Sequence, residues 1–324
     1  MTSPTRFASW RLLITVLAGL AVVASACSDS ATTSTGSDSE ASPAASDEAG
    51  SATTLRIGAI PDQEPERLQR TYGLLSDYLE AELGVTVDYV PVTDYQGAVT
   101  AFRVGDLDAV WFGGLTGVQA RLEVDGANAI AQRDIDERFT SVFIAAADAG
   151  IEPIDDVAGL TAVAGRSLTF GSESSTSGRL MPQAFLSEAG VDIENDINGA
   201  PGFSGSHDAT IELVGAGTYE VGALNSQVWD ARVAEGAIDP SAVIEIFRTP
   251  TYYDYHWVAR PDLDDRFGDG FDQQLVAALT DLDGADPDQA EILDLFGAGS
   301  FIVTENDNYT AIESVGREAG LIRS

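Results

Sequence analysis

Apolar positions along most of the chain follow two periods, one typical of buried strands and one typical of helices. The segment "TLRIGAIP" at residues 54–61 is a short apolar run, and from Leu68 onward large apolar residues recur at spacings of three and four as far as Leu83. Gly84 follows directly, and glycine commonly ends a helix. The pattern predicts a buried strand followed by an amphipathic helix that ends at Gly84.

The same alternation of strand and helix patterns continues along the chain. "VTVDYVPV" at 85–92 alternates as a strand, Thr93 and Asp94 offer a helix N-cap, and "LDAVWFGG" at 107–114 is a strand that enters a glycine turn. Further strand patterns follow as far as "AVIEIF". This order predicts an α/β fold whose parallel sheets are covered by helices on both faces.

The length of the chain indicates more than one compact body. It has 324 residues, and a domain usually takes roughly 100 to 200. Extended segments rich in β-branched or aromatic residues at 139–145 and 248–257 are candidate crossings between two lobes. We therefore expect lobe 1 to span 54–141 and 250–324, and lobe 2 to be an insertion of residues 142–249.

The first 27 residues combine features of an export signal. Arg6 and Arg11 precede an apolar run at 12–23, and small residues lead to Cys27. This order predicts a signal peptide over residues 1–26, since the run is shorter than the roughly 20 apolar residues of a membrane-spanning anchor. Cys27 is the only cysteine, so the chain forms no internal disulfide. "ASAC" is similar to a bacterial lipobox, which implies that Cys27 is lipidated.

Residues 28–53 contain no large apolar side chain. Such a segment buries too little surface to offset the entropy lost on ordering. Residues 27–53 are therefore expected to form a lipidated cysteine and a flexible tether. A lipid anchor, a tether and a globular body together predict a protein on the extracytoplasmic face of the cell membrane.

The chain is strongly acidic. It carries 17 basic residues, all of them arginine, against 52 acidic ones, which gives a net charge of −35. Because nucleic-acid binding rests on positive charge, nucleic acid is excluded as a partner. The acidity is compatible with a saline habitat or with a high-GC genome, and the sequence does not separate the two.

The segment "TFGSESSTSGRLMP" at 169–182 places serines and a threonine directly before an amphipathic run. A helix that starts near Ser177 would present free backbone amides and a partial positive charge, and both suit an anion. Gly178 would let a ligand approach the backbone closely. A simple helix cap made of the same hydroxyls explains the segment equally well at this point.

The sequence gives little support to an enzymatic or metal-binding function. His207 and His256 are the only histidines, and no serine lies in a G-x-S-x-G motif, which argues against a hydrolase. The histidines are far apart, and the acidic runs lack the spacing of a calcium loop. We therefore expect no enzyme activity, no metal and no cofactor.

Three segments, "FGSESSTSGRLMP", "GSHDAT" and "DLDAVWFGG", resemble the phosphate-, phosphite- and phosphonate-binding proteins of bacterial ABC importers. Four others, "PDQEPERLQR", "WFGGLTGVQAR", "EVGALNSQVWD" and "TPTYYDYHW", are similar to a branch of that family named for selenate binding. The resemblance covers the body from Leu55 onward.

The resemblance implies a type II periplasmic-binding-protein fold, with two lobes joined by two hinge crossings and a tetrahedral oxyanion in the cleft. It also implies a monomer that delivers its ligand to an ABC permease in the membrane. The residues expected to contact the ligand are the hydroxyl series Ser175, Thr176 and Ser177, together with Tyr95, His207, Gln227 and Tyr255.

Two positions depart from the family pattern. Gln227 stands where phosphonate binders often carry an acid, and Gly117 where many carry a tyrosine. Because an amide can donate a hydrogen bond, Gln227 favours a fully ionised ligand such as selenate or sulfate over protonated phosphonates or phosphite. Asp208 and Asp254 are expected near the cleft, where either would bind a ligand proton.

An alternative is a receptor of the same fold for a small organic molecule. Its aromatic wall would consist of Tyr252, Tyr253, Tyr255 and Trp257. Strand alternation turns half of such side chains into the core, which counts against a continuous wall.

Overall fold

The structure, a computed structural model, describes residues 53–322. The predicted signal peptide, Cys27 and almost all of the predicted tether lie outside the described residues. Within the described part of the chain, no helix combines the length and the hydropathy that a membrane crossing requires.

The strands of the described chain form two sheets. The first has the order β11-β4-β10-β3-β1-β2 and the second the order β7-β6-β8-β5-β9. The strands are β1 (Thr54–Ala59), β2 (Thr86–Tyr89), β3 (Ala109–Phe112), β4 (Asn128–Arg133), β5 (Ser141–Ala146), β6 (Leu168–Phe170), β7 (Gly202–Phe203), β8 (Val221–Asn225), β9 (Val243–Arg248), β10 (His256–Ala259) and β11 (Phe301–Val303).

Helices connect most of these strands. They are α1 (Pro65–Leu83), α2 (Tyr95–Val104), α3 (Gly114–Glu123), α4 (Met181–Glu188), α5 (His207–Gly215), α6 (Ser226–Ala234), α7 (Leu263–Phe267), α8 (Phe271–Thr280), α9 (Pro287–Phe296) and α10 (Thr310–Glu318). Short 3₁₀ segments lie at Asp136–Arg138, Val157–Val163 and Asn306–Tyr309, and a π-helical turn at Thr176–Leu180 leads into α4.

The expectation of parallel sheets is wrong, because both sheets are mixed. β1 is parallel to β2 and β3, and β6 is parallel to β7 and β8. β10 and β5, however, are antiparallel to both of their neighbours, and β11 is antiparallel to β4. β5 and β10 each enter from the other sheet instead of following a helix of their own sheet. The crossover geometry that aligns consecutive strands therefore does not act on them.

Local signals set the element ends near the places that the sequence indicates. α1 has a proline in its first turn and is followed by Gly84 in the left-handed conformation, with φ 67°. The Asp94 side chain accepts a hydrogen bond from Gly97 N at 2.7 Å and caps α2. Ser175 caps a π-helical turn that begins at Thr176, and α4 follows from Met181, four residues after the predicted start near Ser177.

Each sheet packs its own hydrophobic core. One core is built on residues of β1, β3, α1 and α2, and the other on residues of β5, β6 and β8. The chain passes from the first sheet to the second between β4 and β5, and returns between β9 and β10. These crossings bond to each other, since Phe139 and Tyr252 exchange backbone hydrogen bonds of 2.9 and 3.0 Å. Residues 141–145 of the first predicted crossing belong to β5.

Candidate functional site

The N-terminus of α3, from the first sheet, meets the serine-threonine turn at residues 174–178, from the second. Leu115 N donates to Thr176 Oγ1 at 2.9 Å, and Gly114 N donates to Asp254 Oδ1 at 2.9 Å. Gly113 makes this approach possible, because a Cβ at that position would lie 3.1 Å from Thr176 Oγ1 and 3.3 Å from Asp254 Oδ1. Amides of the first turn of a helix, a hydroxyl and a carboxylate thus converge between the two sheets.

The three neighbouring hydroxyls of the turn have different partners. Ser175 Oγ accepts from Gly178 N at 2.9 Å and acts as the helix cap. Thr176 Oγ1 is bonded to Leu115 N. Ser177 is 1% exposed, yet its Oγ has no hydrogen-bond partner among the described residues. A buried hydroxyl without a partner is uncommon, because it has lost water and gained nothing in exchange. Ser177 is therefore the hydroxyl of the turn without a bond in the described chain, whereas Ser175 and Thr176 act as acceptors in these bonds and each retains an O–H donor.

Tyr95 Oη and Asp254 Oδ2 are also among the buried polar atoms that lack a partner within the described chain. Tyr95 is the first residue of α2. Burial, reinforced by the charge of Asp62, raises the pKa of Tyr95 well above its usual value, although the neighbouring Ser175 hydroxyl works in the opposite direction. Its hydroxyl is thus neutral and able to donate. Chemically, the Tyr95 and Ser177 hydroxyls can donate to an anion, and Asp254 Oδ2 can accept a hydrogen bond.

Asp254 is fully buried, and its environment favours the protonated form. Burial raises the pKa of Asp254 to about 7, although the hydrogen bond from the Gly114 amide works in the opposite direction. Near neutral pH the side chain therefore changes between a carboxylate, which only accepts, and a carboxylic acid, which can donate. Such a group distinguishes a ligand with a proton from one without.

His207 begins α5 and joins the two sheets. Its Nδ1 accepts from Asn225 N at 3.3 Å, so the ring proton is on Nε2, which lies 3.2 Å from Tyr255 Oη. Asn225 Nδ2 donates to the same Tyr255 oxygen at 3.1 Å. Burial lowers the pKa of His207 to about 4, so the ring is neutral at physiological pH. The predicted residues His207 and Tyr255 thus lie together, beside the serine-threonine turn, since a Cβ at Gly178 would be 3.1 Å from His207 Cε1.

Both carboxylate oxygens of Asp208 are hydrogen-bonded within the protein, unlike those of Asp254. Its carboxylate is bonded to Arg232 at 2.8 Å and accepts from Glu64 N at 3.2 Å. The Arg232 guanidinium and this amide occupy the oxygens that would otherwise read a ligand proton. Of the two aspartates that the sequence indicated, the geometry favours Asp254.

Gln227 is engaged elsewhere. Its Oε1 accepts from Arg133 Nη1, and its Nε2 donates to Phe296 O at 2.8 Å. Both ends of the amide are bonded to protein, so the donor on which the preference for selenate or sulfate rested is occupied in this arrangement. Direct contact of Gln227 with the ligand stays a prediction.

Gly117 is a packing position. A Cβ there would lie 2.3 Å from His256 Nε2, and the His256 ring stacks on Tyr309 at 3.7 Å between centroids. The departure at Gly117 thus accommodates a histidine of β10 beneath α3.

The expected aromatic wall does not form. The Tyr252 hydroxyl lies 2.6 Å from Ser141 Oγ, the Tyr253 ring packs on Tyr309, and Trp257 is buried against Trp111. Tyr255 alone of the four has its hydroxyl among the candidate site residues, bonded to His207 and Asn225. Only Trp257 of the four lies in a strand, β10, so the separate partners of these side chains, and not strand alternation, account for this result.

Sequence reasoning missed three contributors, namely the amides at the start of α3, Asn225 and Asp62. Asp62 is 4% exposed, its backbone oxygen accepts from His207 N at 3.0 Å, and burial raises its pKa to about 6. The signal for the α3 amides was present, because a strand that runs into two glycines before a helix is typical of an anion site. Within the described residues, no group of His, Cys, Asp and Glu side chains is arranged to hold a metal ion.

Comparison with known proteins points to one family. A family model described as "ABC transporter, phosphonate, periplasmic substrate-binding protein" matches residues 57–309. A probable ABC transporter phosphite binding protein, PhnD1 of Prochlorococcus marinus, is 47% identical over 269 residues, which cover 83% of this chain and 91% of that protein. The phosphate-import protein PhnD of Mycolicibacterium smegmatis is 30% identical over 247 residues, 73% of this chain and 72% of that protein.

Solved structures agree in fold. PhnD1 of Prochlorococcus marinus in complex with methylphosphonate matches with a TM-score of 0.81 and 47% identity, over 83% of this chain and 99% of that one. A binding protein component of an ABC phosphonate transporter from Pseudomonas aeruginosa matches with a TM-score of 0.70 at 19% identity, over 81% and 85% of the two chains. The predicted periplasmic-binding-protein fold with two sheets is confirmed.

Proposed function

Because this chain belongs to the phosphonate-binding family of periplasmic substrate-binding proteins of ABC transporters, we propose that it captures a small phosphorus oxyanion that still carries a proton, such as phosphite or methylphosphonate. The chain is a substrate-binding protein and not an enzyme. The observation that carries the proposal is Asp254 Oδ2, a buried acceptor without a partner in the described chain, on a carboxylate that lies at the serine-threonine turn beside Thr176.

The chemistry of Asp254 supports a ligand that is partly protonated. Sulfate and selenate are dianions at neutral pH, so an ionised Asp254 would face a second negative charge with no proton between them. Phosphite and methylphosphonate retain a proton over part of the neutral range, and that proton can bridge to the carboxylate. The relative that shares 47% identity is named for phosphite, and its structure holds methylphosphonate.

The first prediction tests this ligand class. Isothermal titration calorimetry of the body from residue 54 onward, at about pH 7.5, should show phosphite or methylphosphonate binding at least about tenfold more tightly than sulfate or selenate, which corresponds to the loss of one good hydrogen bond. Phosphate is titrated as a third class of ligand for comparison. Tightest binding of selenate or sulfate would refute the proposed ligand class and support the preference for fully ionised anions that Gln227 predicts.

We further propose that residues 54–141 with 250–324, and residues 142–249, act as hinged lobes that close around the ligand. Two observations support this. Each half of the candidate site comes from a different sheet, and the two crossings lie side by side. Such closure is a common response of two-lobed receptors. The candidate site residues all belong to this one chain, and we propose that it acts as a monomer and delivers its ligand to a permease in the membrane.

We propose that the protein is located on the outer face of the cell membrane and is attached there through lipidation of Cys27. Cys27→Ser should move the protein from the membrane fraction to the soluble fraction, because the lipid chains on that cysteine provide the attachment. Fractionation and immunoblotting of cells measure the distribution, and wild-type protein is the control. Retention of the variant in the membrane fraction with residues 1–26 removed would rule out the lipid anchor.

A further inference from the structure

Gln227 forms a bridge between the halves of the protein that carry the two sheets. It lies in the first turn of α6, which follows β8 of the second sheet, and its side chain reaches Arg133 at the end of β4 of the first sheet. Asn225 Oδ1 accepts from Gln227 N at 2.7 Å and fixes the start of the helix. The direction of the Gln227 side chain is therefore set by its own helix.

The surface that receives Gln227 is held in place without it. Arg133 Nε and Nη2 donate to Asp136 at 2.7 and 2.8 Å, and Nη1 donates to Phe296 O at 2.7 Å. The Arg133 guanidinium carbon lies 4.9 Å from the centre of the Tyr255 ring and 5.5 Å from that of Trp111. An arginine restrained in this way presents one N–H group of Nη1 towards the second sheet.

Gly297 completes this surface. It follows α9 in the left-handed conformation, with φ 64°. A Cβ at Gly297 would lie 1.6 Å from Gln227 Nε2, which would prevent that nitrogen from reaching Phe296 O. Arg133, the Phe296 carbonyl and Gly297 thus form a notch that fits the glutamine amide.

We propose that Gln227 is a closing latch, which docks in this notch and stabilises the closed protein without touching the ligand. The latch rests on the proposed function, because it acts on capture of the same ligand. Its two hydrogen bonds join opposite halves, so they form when the halves meet and favour the closed, loaded state over the open one. Because both polar atoms of the amide are engaged by protein, the stabilisation is the same for every ligand.

The test compares affinity ratios across ligands. Gln227→Met keeps the length of the side chain and removes both hydrogen bonds, and Gln227→Ala removes the side chain. Both variants should bind phosphite, methylphosphonate and phosphate about tenfold more weakly than wild type, as expected for loss of a charge-assisted bond. The loss should be equal among the anions within about twofold and should appear as faster dissociation.

A second pair of variants tests the notch itself. Gly297→Ala should displace Gln227 and reproduce the uniform loss of affinity. Gly84→Ala is the matched control, because Gly84 has a similar φ of 67° but no atom within 4 Å of the added Cβ. The control variant carries the same backbone strain, so it should lose stability and keep wild-type affinity.

Two results would overturn the latch. If the Gln227 variants lose affinity for one anion only, or change the order of preference, the side chain contacts the ligand. If they bind every anion as tightly as wild type does, the bridge contributes nothing to capture. Should wild type prefer sulfate or selenate, the same ratios are measured with those anions, so the latch is judged independently of the proposed ligand class.

Discussion

Ser177→Ala is expected to weaken binding of the oxyanion about tenfold to a hundredfold, which corresponds to the loss of one hydrogen bond to a charged ligand. The free energy of unfolding should stay the same or rise slightly. The reason is that Ser177 Oγ is buried and has no partner in the described chain, so its removal breaks no bond within the protein. Calorimetric titration and thermal melting of the same sample measure the two quantities.

Ser175→Ala provides the matched control, because it removes a hydroxyl from the same turn. Ser175 Oγ caps the helix by accepting from Gly178 N, and loss of such a cap typically costs about 1 kcal/mol of stability. We expect this variant to melt earlier and to bind nearly as wild type does. Thr176→Ala should affect affinity as well, since Leu115 N loses its partner across the cleft. Unchanged affinity in Ser177→Ala would show that the Ser177 hydroxyl does not contact the ligand.

Asp254→Asn is expected to reverse the ligand preference at about pH 7.5. The asparagine amide can donate where the carboxylate oxygen Oδ2 accepts, so sulfate and selenate should bind more tightly than to wild type. Phosphite and methylphosphonate lose the acceptor for their proton and should bind about tenfold to a hundredfold more weakly. Titration of both proteins with the four anions measures the exchange of preference. Equal changes for all four would show that Asp254 does not read the ligand proton.

The pH dependence gives an independent check on Asp254. Its pKa of about 7 means that lowering the pH from about 8 to about 6 converts the carboxylate to an acid. Wild-type affinity for sulfate or selenate should therefore rise as the pH falls, because a repelling charge becomes a donor. Asp62, with a pKa of about 6, contributes towards the lower end of this range. Most of the slope should be absent in Asp254→Asn, and an unchanged slope would assign the effect to other groups.

The same shift in pKa affects stability. Burial raises the pKa of Asp254 above the value of 3.8 for the unshifted group, so the folded protein retains a proton that the unfolded chain releases. This contribution to stability is present below about pH 4 and is lost as the pH rises through about 7. His207 acts in the opposite sense, because its lowered pKa of about 4 makes folding more favourable as the pH rises from about 4 to 6.5.

Local features of the structure could be predicted from the sequence, and long-range features could not. Gly84 and Asp94 act through neighbours within four residues, so the end of α1 and the start of α2 were evident. The directions of β5 and β10 depend on where the chain changes sheets, which no local pattern records. His207 was assigned to the site from the family resemblance and not from a spacing pattern.

The roles of single polar residues depended most on partners far along the chain. Asp208 and Asp254 look alike in sequence, but only Asp208 meets Arg232. Gln227 finds its partners Arg133 and Phe296 more than 60 residues away, at separations of 94 and 69. The start of α4 at Met181 instead of near Ser177 had a local cause, since the π-helical turn that precedes it is of a rare kind with no strong sequence signal.

If the halves close as proposed, the buried atoms of Tyr95, Ser177 and Asp254 that lack partners in the described chain affect how often the protein closes without a ligand. Each buried polar group without a partner disfavours the closed protein by about 1 kcal/mol or more, so three of them reduce the closed population roughly a hundredfold when no anion is present. This penalty opposes the contacts that Thr176, Tyr255 and Gln227 make between the halves. A transporter that responds only to closed receptors would then hydrolyse ATP mainly when the receptor carries a ligand.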